Sequence, residues 1–130
     1  MSRKSKGIGA ERDLVHLLWE QGFAALRSPA SGASRFPSPD IIAGRGDRRL
    51  AIECKITKFE SQYFDKEELE QLRTFARIFG AEAWVAVRFP RQAWYFIALD
   101  DLTETKGQNY VITLDNAKEK GFILEEVIRS

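Results

Sequence analysis

The period of the hydrophobic positions changes several times along the chain, and each change marks an element. From Gly9 to about Gln21 the apolar side chains Leu14, Val15, Leu17 and Leu18 recur at helical spacing, and Gly22 ends the run. Phe23 to Arg27 predicts a short strand, and strand-like runs at 40–44 and 50–57 flank the turn-forming stretch Gly44 to Arg49. A second helix has clear start chemistry: Asp65 as cap, Glu68 at the capping-box position, and Phe64 with Leu69 as a hydrophobic staple. It runs to Phe79 and stops at Gly80, with Leu72, Phe75, Ala76 and Phe79 on one stripe and Ile78 outside it.

Aromatic-rich strands at 83–89 and 93–98 follow, separated by Pro90-Arg91-Gln92, then a strand at 108–113 and a short helical tail. Ser28 to Ser38 is a loop of small and polar residues, and Phe59 to Phe64 is expected to be an irregular, mobile connection. The order αβββαβ with further β predicts an α/β fold, a mixed β-sheet flanked by helices, in one domain spanning 1–130. Both faces of Trp84-Val85-Ala86-Val87-Arg88-Phe89 and Trp94-Tyr95-Phe96-Ile97 are largely apolar. Such strands are buried by helices of their own chain or by another subunit; a chain this small has few elements to cover them, so a symmetric homodimer is expected, with a compact monomer as the alternative.

The chemistry concentrates in Pro39-Asp40 and Glu53-Cys54-Lys55. Residues two apart on a strand share a face, so Glu53 and Lys55 project together while Cys54 points away. If the two strands pair, Asp40 approaches Glu53, and two carboxylates with one ammonium can hold Mg²⁺ and activate water against a phosphodiester. Glu11 lies on the inward stripe of the first helix with Leu14, Val15 and Leu18, where it becomes a third metal-binding acid or else reaches water at the stripe's end. Taken alone, Pro-Asp with Glu-x-Lys is a degenerate pattern, and Asp40 also suits a turn before a strand. In the same way, Lys55 suits an ordinary solvated strand lysine.

Composition narrows the partners. The net charge is only +1, but residues 1–58 carry eleven basic against six acidic side chains, leaving the remainder acidic. A basic half that contains the site suits an anionic polymer. Arg3, Lys4 and Lys6 make residues 1–7 a flexible basic arm, able to clamp nucleic acid or else simply a frayed, solvated terminus. The loop around Ser31, Arg35 and Phe36 offers hydroxyls, a cation and an aromatic to phosphates and bases. Cys54 is the sole cysteine, which excludes an intrachain disulfide and points to a reducing cytoplasm. No stretch has membrane-spanning length, and no signal peptide, zinc-ligand set, phosphate loop or nucleophile–His–acid arrangement stands out. His16, between Arg12 and Glu20, is expected at the surface.

Together these residues resemble the archaeal Holliday junction resolvases of the Hjc type, within the restriction-endonuclease-like PD-(D/E)xK nucleases. The similarity is carried by Gly9-Ala10-Glu11-Arg12, Phe23 to Gly32, Pro39-Asp40-Ile41-Ile42-Ala43 and Glu53-Cys54-Lys55. The resemblance implies that Glu11, Asp40 and Glu53 bind Mg²⁺ or Mn²⁺, that Lys55 is catalytic and that Ser31 supports catalysis. It further implies that Arg12 and Arg27 grip DNA phosphates; Arg35 and Lys58 of the basic half are further candidate DNA-binding positions. A homodimer would nick opposing strands of four-way junction DNA, leaving 5′-phosphates and 3′-hydroxyls, with no small-molecule cofactor. One departure is that the helix after Glu-x-Lys begins Asp65-Lys66-Glu67-Glu68 where the superfamily often has an early glutamine, and Gln71 comes a turn too late. No C-terminal sliding-clamp box is visible. The alternatives are another nuclease of this fold (flap, mismatch or restriction-type) and a non-catalytic DNA-binding dimer.

Overall fold

Leu14 and Leu18, one helical turn apart and fully buried, seat helix α1 (Arg3–Glu20) against the sheet. The computed structural model of the protein describes residues 3–29 and 36–129, with backbone alone at 3–8. Helix α1 therefore starts six residues before Gly9, and the backbone at 3–7, expected as a flexible arm, is helical. Leu17 leaves the inward stripe: it is 37% exposed, while Val15 is only partly buried.

Strands β1 (Ala24–Arg27), β2 (Ile41–Arg45) and β3 (Arg48–Ile56) form an antiparallel meander. A short strand β4 (Ser61–Asp65) and helix α2 (Lys66–Phe79) then cross over to β5 (Glu82–Arg88), which lies parallel to β3. Parallel neighbours need such a crossover, and its helix covers one sheet face. Strand β6 (Trp94–Ala98) completes the five-stranded order β1-β2-β3-β5-β6.

After a 3₁₀ turn (Leu99–Asp101), β7 (Thr103–Glu104) and β8 (Asn109–Thr113) join β4 in a small second sheet of order β4-β8-β7. The connection expected to be irregular is thus largely a paired strand, with Phe64 opposite Tyr110. Helices α3 (Leu114–Lys120) and α4 (Leu124–Val127) form the tail.

Alternation along β3 divides the core. Leu50, Ile52 and Cys54 pack with Leu14, Leu18, Phe96 and Leu124 on the α1 side. Ala51 packs with Leu72, Val85, Val87 and Ile97 on the α2 side, so Glu53 and Lys55 face α2. These layers also bury Phe89, Trp94, Phe96 and Ile97, so the aromatic strands are covered by their own chain and do not call for a partner. Apolar side chains do remain exposed on α2, where Phe79 is 46% and Ile78 74% exposed.

The β2–β3 hairpin is tied to the C-terminal tail. Arg45 donates to the Gln21 and Ile128 carbonyls, and its guanidinium stacks 4.4 Å over the Phe23 ring. Arg48 donates to the Val127 and Arg129 carbonyls at 2.6 and 3.1 Å and makes a two-bond pair with Glu82 at 2.8 and 2.9 Å. Two arginines of the basic half therefore serve the fold. Among the described residues no helix is long and apolar enough to cross a membrane.

Candidate active site

Asp40 sits immediately before β2, and the pairing of Ile41 with Ile52 brings it opposite Glu53. Its Oδ2 accepts the Cys54 backbone N–H at 2.8 Å, which fixes the carboxylate at the sheet end. Ser28 holds the same segment from the other side, its N–H donating to the Asp40 carbonyl at 2.8 Å and its hydroxyl to that of Pro39 at 2.5 Å. Pro-Asp thus ends a loop and opens a strand, and it is the tertiary bond to Cys54 that turns Asp40 toward Glu53.

Burial is the main pressure on these acids. It pushes Glu53 up to about 8, with the Asp40 charge adding to the effect and Lys55 opposing it. Asp40 is raised by burial as well, against the pull of the Cys54 N–H and the Lys55 charge. Glu11 is half-buried and raised by burial and by the Asp40 charge, with Arg27 opposing. Glu11 is therefore coupled to Asp40 around the sheet end, and only weakly to Glu53. Among the described residues, no three acid, imidazole or thiol groups stand close enough together to hold a metal ion as they are.

Lys55 faces α2, and its Nζ lies 3.3 Å from Glu68 Oε2. Burial pushes the ammonium down, but Glu68, Glu53 and Asp40 together hold it above the usual lysine range. It is a charged donor at neutral pH. Glu68 was expected only as a capping-box residue, and it does accept the Asp65 N–H through Oε1 at 3.3 Å. Its second oxygen on Lys55 could not be read from the sequence, because nothing local places the first turn of α2 over the end of β3.

Of the remaining expected positions, Arg12 and Lys58 are exposed and Arg27 is half-buried beside Glu11. His16 is exposed as expected. The Cys54 thiol is buried and pushed up by burial and the surrounding carboxylates, so it carries no thiolate chemistry. Ser31 and Arg35, and the side chains of Arg3, Lys4 and Lys6, lie outside the described residues.

Known proteins share both the sequence and this fold. The family model for archaeal Holliday junction resolvase (Hjc) matches residues 2–130. The crossover junction endodeoxyribonuclease Hjc of Archaeoglobus fulgidus is 52% identical over 103 residues, covering 79% of this chain and 76% of that protein. The protein of that name from Sulfurisphaera tokodaii is 41% identical over 130 residues, covering 98% and 89%. The solved structure of Archaeoglobus fulgidus Hjc, described as a Holliday junction resolvase, superposes with a TM-score of 0.89 at 46% identity, covering 95% of this chain and all of that one. This chain, with its mixed sheet and its acids at the sheet end, belongs to the archaeal Holliday junction resolvase (Hjc) family.

Proposed function

We infer that this chain is a crossover junction endodeoxyribonuclease that resolves Holliday junctions, and that Asp40, Glu53, Glu11 and Lys55 form its hydrolytic site. The observation that carries the site assignment is the placement of Asp40 against Glu53, two desolvated carboxylates beside one ammonium that Glu68 already shares. Such a set lacks positive charge, and its donors are all hard oxygens, so a divalent cation fits it. Asp40 and Glu53, with Glu11 behind Asp40, would hold Mg²⁺, or Mn²⁺ in its place. The bound ion supplies a Lewis acid for the phosphate and lowers the pKa of an attacking water.

The chain's own groups then have separable tasks. Asp40 is preorganised by the Cys54 N–H, which leaves its other oxygen for the cation. Lys55, being protonated, does not act as the base; it orients the water and stabilises charge developing on the phosphate oxygens. Arg12, Arg27 and Lys58 would contact phosphates, and the basic residues Arg3, Lys4 and Lys6 belong to the same proposal. Ser31 and Arg35 of the loop before Asp40 complete the assignment.

Two copies are needed for paired nicks, and α2 carries the surface that suits a homodimer. Phe75 and Phe79 stack at 5.3 Å between centroids, and Phe79 and Ile78 are exposed on the same end of the helix. One domain spanning the chain accounts for the fold.

A four-way junction and a matched linear duplex, incubated with Mg²⁺ or with chelator, test the reading. Metal-dependent cutting of the junction, with little cutting of the duplex and none by Asp40→Asn, is expected. Full activity in Asp40→Asn would remove the proposed site.

A further inference from the structure

The tight turn after β3 displays an aromatic ring that the mechanism above does not use. Phe59 is 70% exposed, yet its backbone is braced. Its N–H donates to the buried Thr57 hydroxyl at 3.0 Å, and that hydroxyl donates to the Ser61 carbonyl at 3.0 Å. Thr57 is itself tied to β5 through its N–H on the Arg88 carbonyl at 3.1 Å. The ring is thus held out from an anchored turn.

The neighbouring turn is unusual in a complementary way. Gln92 N–H bonds the Phe89 carbonyl at 3.1 Å, closing a four-residue turn with Pro90 second. Its third residue, Arg91, has φ 61°, the left-handed region such a turn normally gives to glycine. An arginine kept in that conformation is strained, and strain of this kind gathers at functional sites.

The two turns share a cleft. Lys58, Phe59, Arg91 and Lys118 line a cavity of about 540 Å³, with Glu60 as its acidic side chain. Among the described residues none of the three cations is in an ion pair. An adjoining cavity of about 760 Å³ shares Lys58 and Phe59 and extends to Lys55. Together they make a cationic groove leading away from the hydrolytic site, with an aromatic ring on its wall.

We propose that this groove takes the DNA strand leaving the cut phosphate, with Phe59 stacking on a base unstacked at the branch point and Lys58, Arg91 and Lys118 holding phosphates. The direction of the groove rests on Lys55 marking the place of cleavage. Positive grooves with interposed aromatics bind unstacked nucleotides because every base presents a π-face, whereas a continuous duplex offers none. The groove would therefore help tell a junction from a linear duplex.

Binding of the full chain, in chelator, to four-way junctions carrying 2-aminopurine either at the branch point or within an arm tests this. Wild type is expected to change the fluorescence of the branch-point probe only. Phe59→Leu should at least halve that change and weaken junction binding about tenfold, leaving duplex binding unaltered, and Phe59→Trp should restore both. Arg91→Gly should bind the junction severalfold more weakly while melting no lower than wild type, since glycine accepts the backbone conformation.

Unchanged junction affinity and probe signal in Phe59→Leu and Arg91→Gly would overturn the proposal. So would an equal loss on junction and duplex, or a change of oligomeric state in sedimentation, which would assign the ring to a protein interface. Asp40→Asn, assayed in parallel for cutting and for binding, tests the hydrolytic site separately.

Discussion

Burial and the Asp40 charge raise the Glu53 carboxyl well above the ordinary glutamate range, and the sign of its effect on stability follows. With its carboxyl at about 8 in the fold and near 4.5 in the unfolded chain, the folded state binds the extra proton between those values. Without metal, stability therefore falls as pH rises through that window. Glu53→Gln should flatten this part of the melting-temperature profile in chelator and melt higher than wild type at pH 8. Cation binding must displace the same proton, so cutting at limiting Mg²⁺ should increase up to about pH 8.

Glu68 supplies a second prediction at this scale. Glu68→Gln keeps an oxygen for the Asp65 N–H but frees the Lys55 ammonium to pair with Asp40 and Glu53. The Mg²⁺ needed for half-maximal cutting should then rise severalfold, with little change in melting temperature.

Among the elements, α2 was the most legible from the sequence. Its limits, its staple and its αL stop at Gly80, with φ 80°, follow from side-chain chemistry within the helix and its flanks. Its outward end is the surface on which the proposed dimer depends. Phe79→Glu should convert the proposed dimer to monomer in sedimentation and turn paired cutting into single nicks, at a stability cost of about 1 kcal/mol from the lost contact with Phe75.

The strands were legible as strands, and β2 and β3 as neighbours, but the other pairings were not. The apolar faces of β5 and β6 pointed to another subunit, yet α1, α2 and α4 cover them. Strand β4 escaped notice because Ser61-Gln62-Tyr63 shows no strong alternation, and it is defined by pairing with a β8 that lies some fifty residues later in the sequence.

Across the whole molecule, the basic half of the chain is divided by position. The β2–β3 turn lies roughly 17 Å along the strands from Asp40, and there Arg45 and Arg48 bind tail carbonyls and Glu82. Arg48→Ala should cost about 2 kcal/mol in chemical denaturation and leave the salt dependence of junction binding unchanged. Arg12→Ala, at an exposed position near Glu11, should do the reverse: stability is kept, while the slope of log affinity against log salt falls by about one.

By itself, the sequence determined what periodicity and local chemistry encode: the two main helices, most strands, Asp40 beside a strand, and Glu53 and Lys55 on one face. Those features depend on neighbours within a few residues, where backbone geometry is nearly invariant. Only the tertiary structure decided that Asp40 is fixed by Cys54, that Glu11 couples to Asp40 more than to Glu53, and that Glu68 holds Lys55. It also decided which arginines belong to the fold. Each of these is set by register and by the crossover of α2, which bring together residues whose separation along the chain carries no signal of their distance in space.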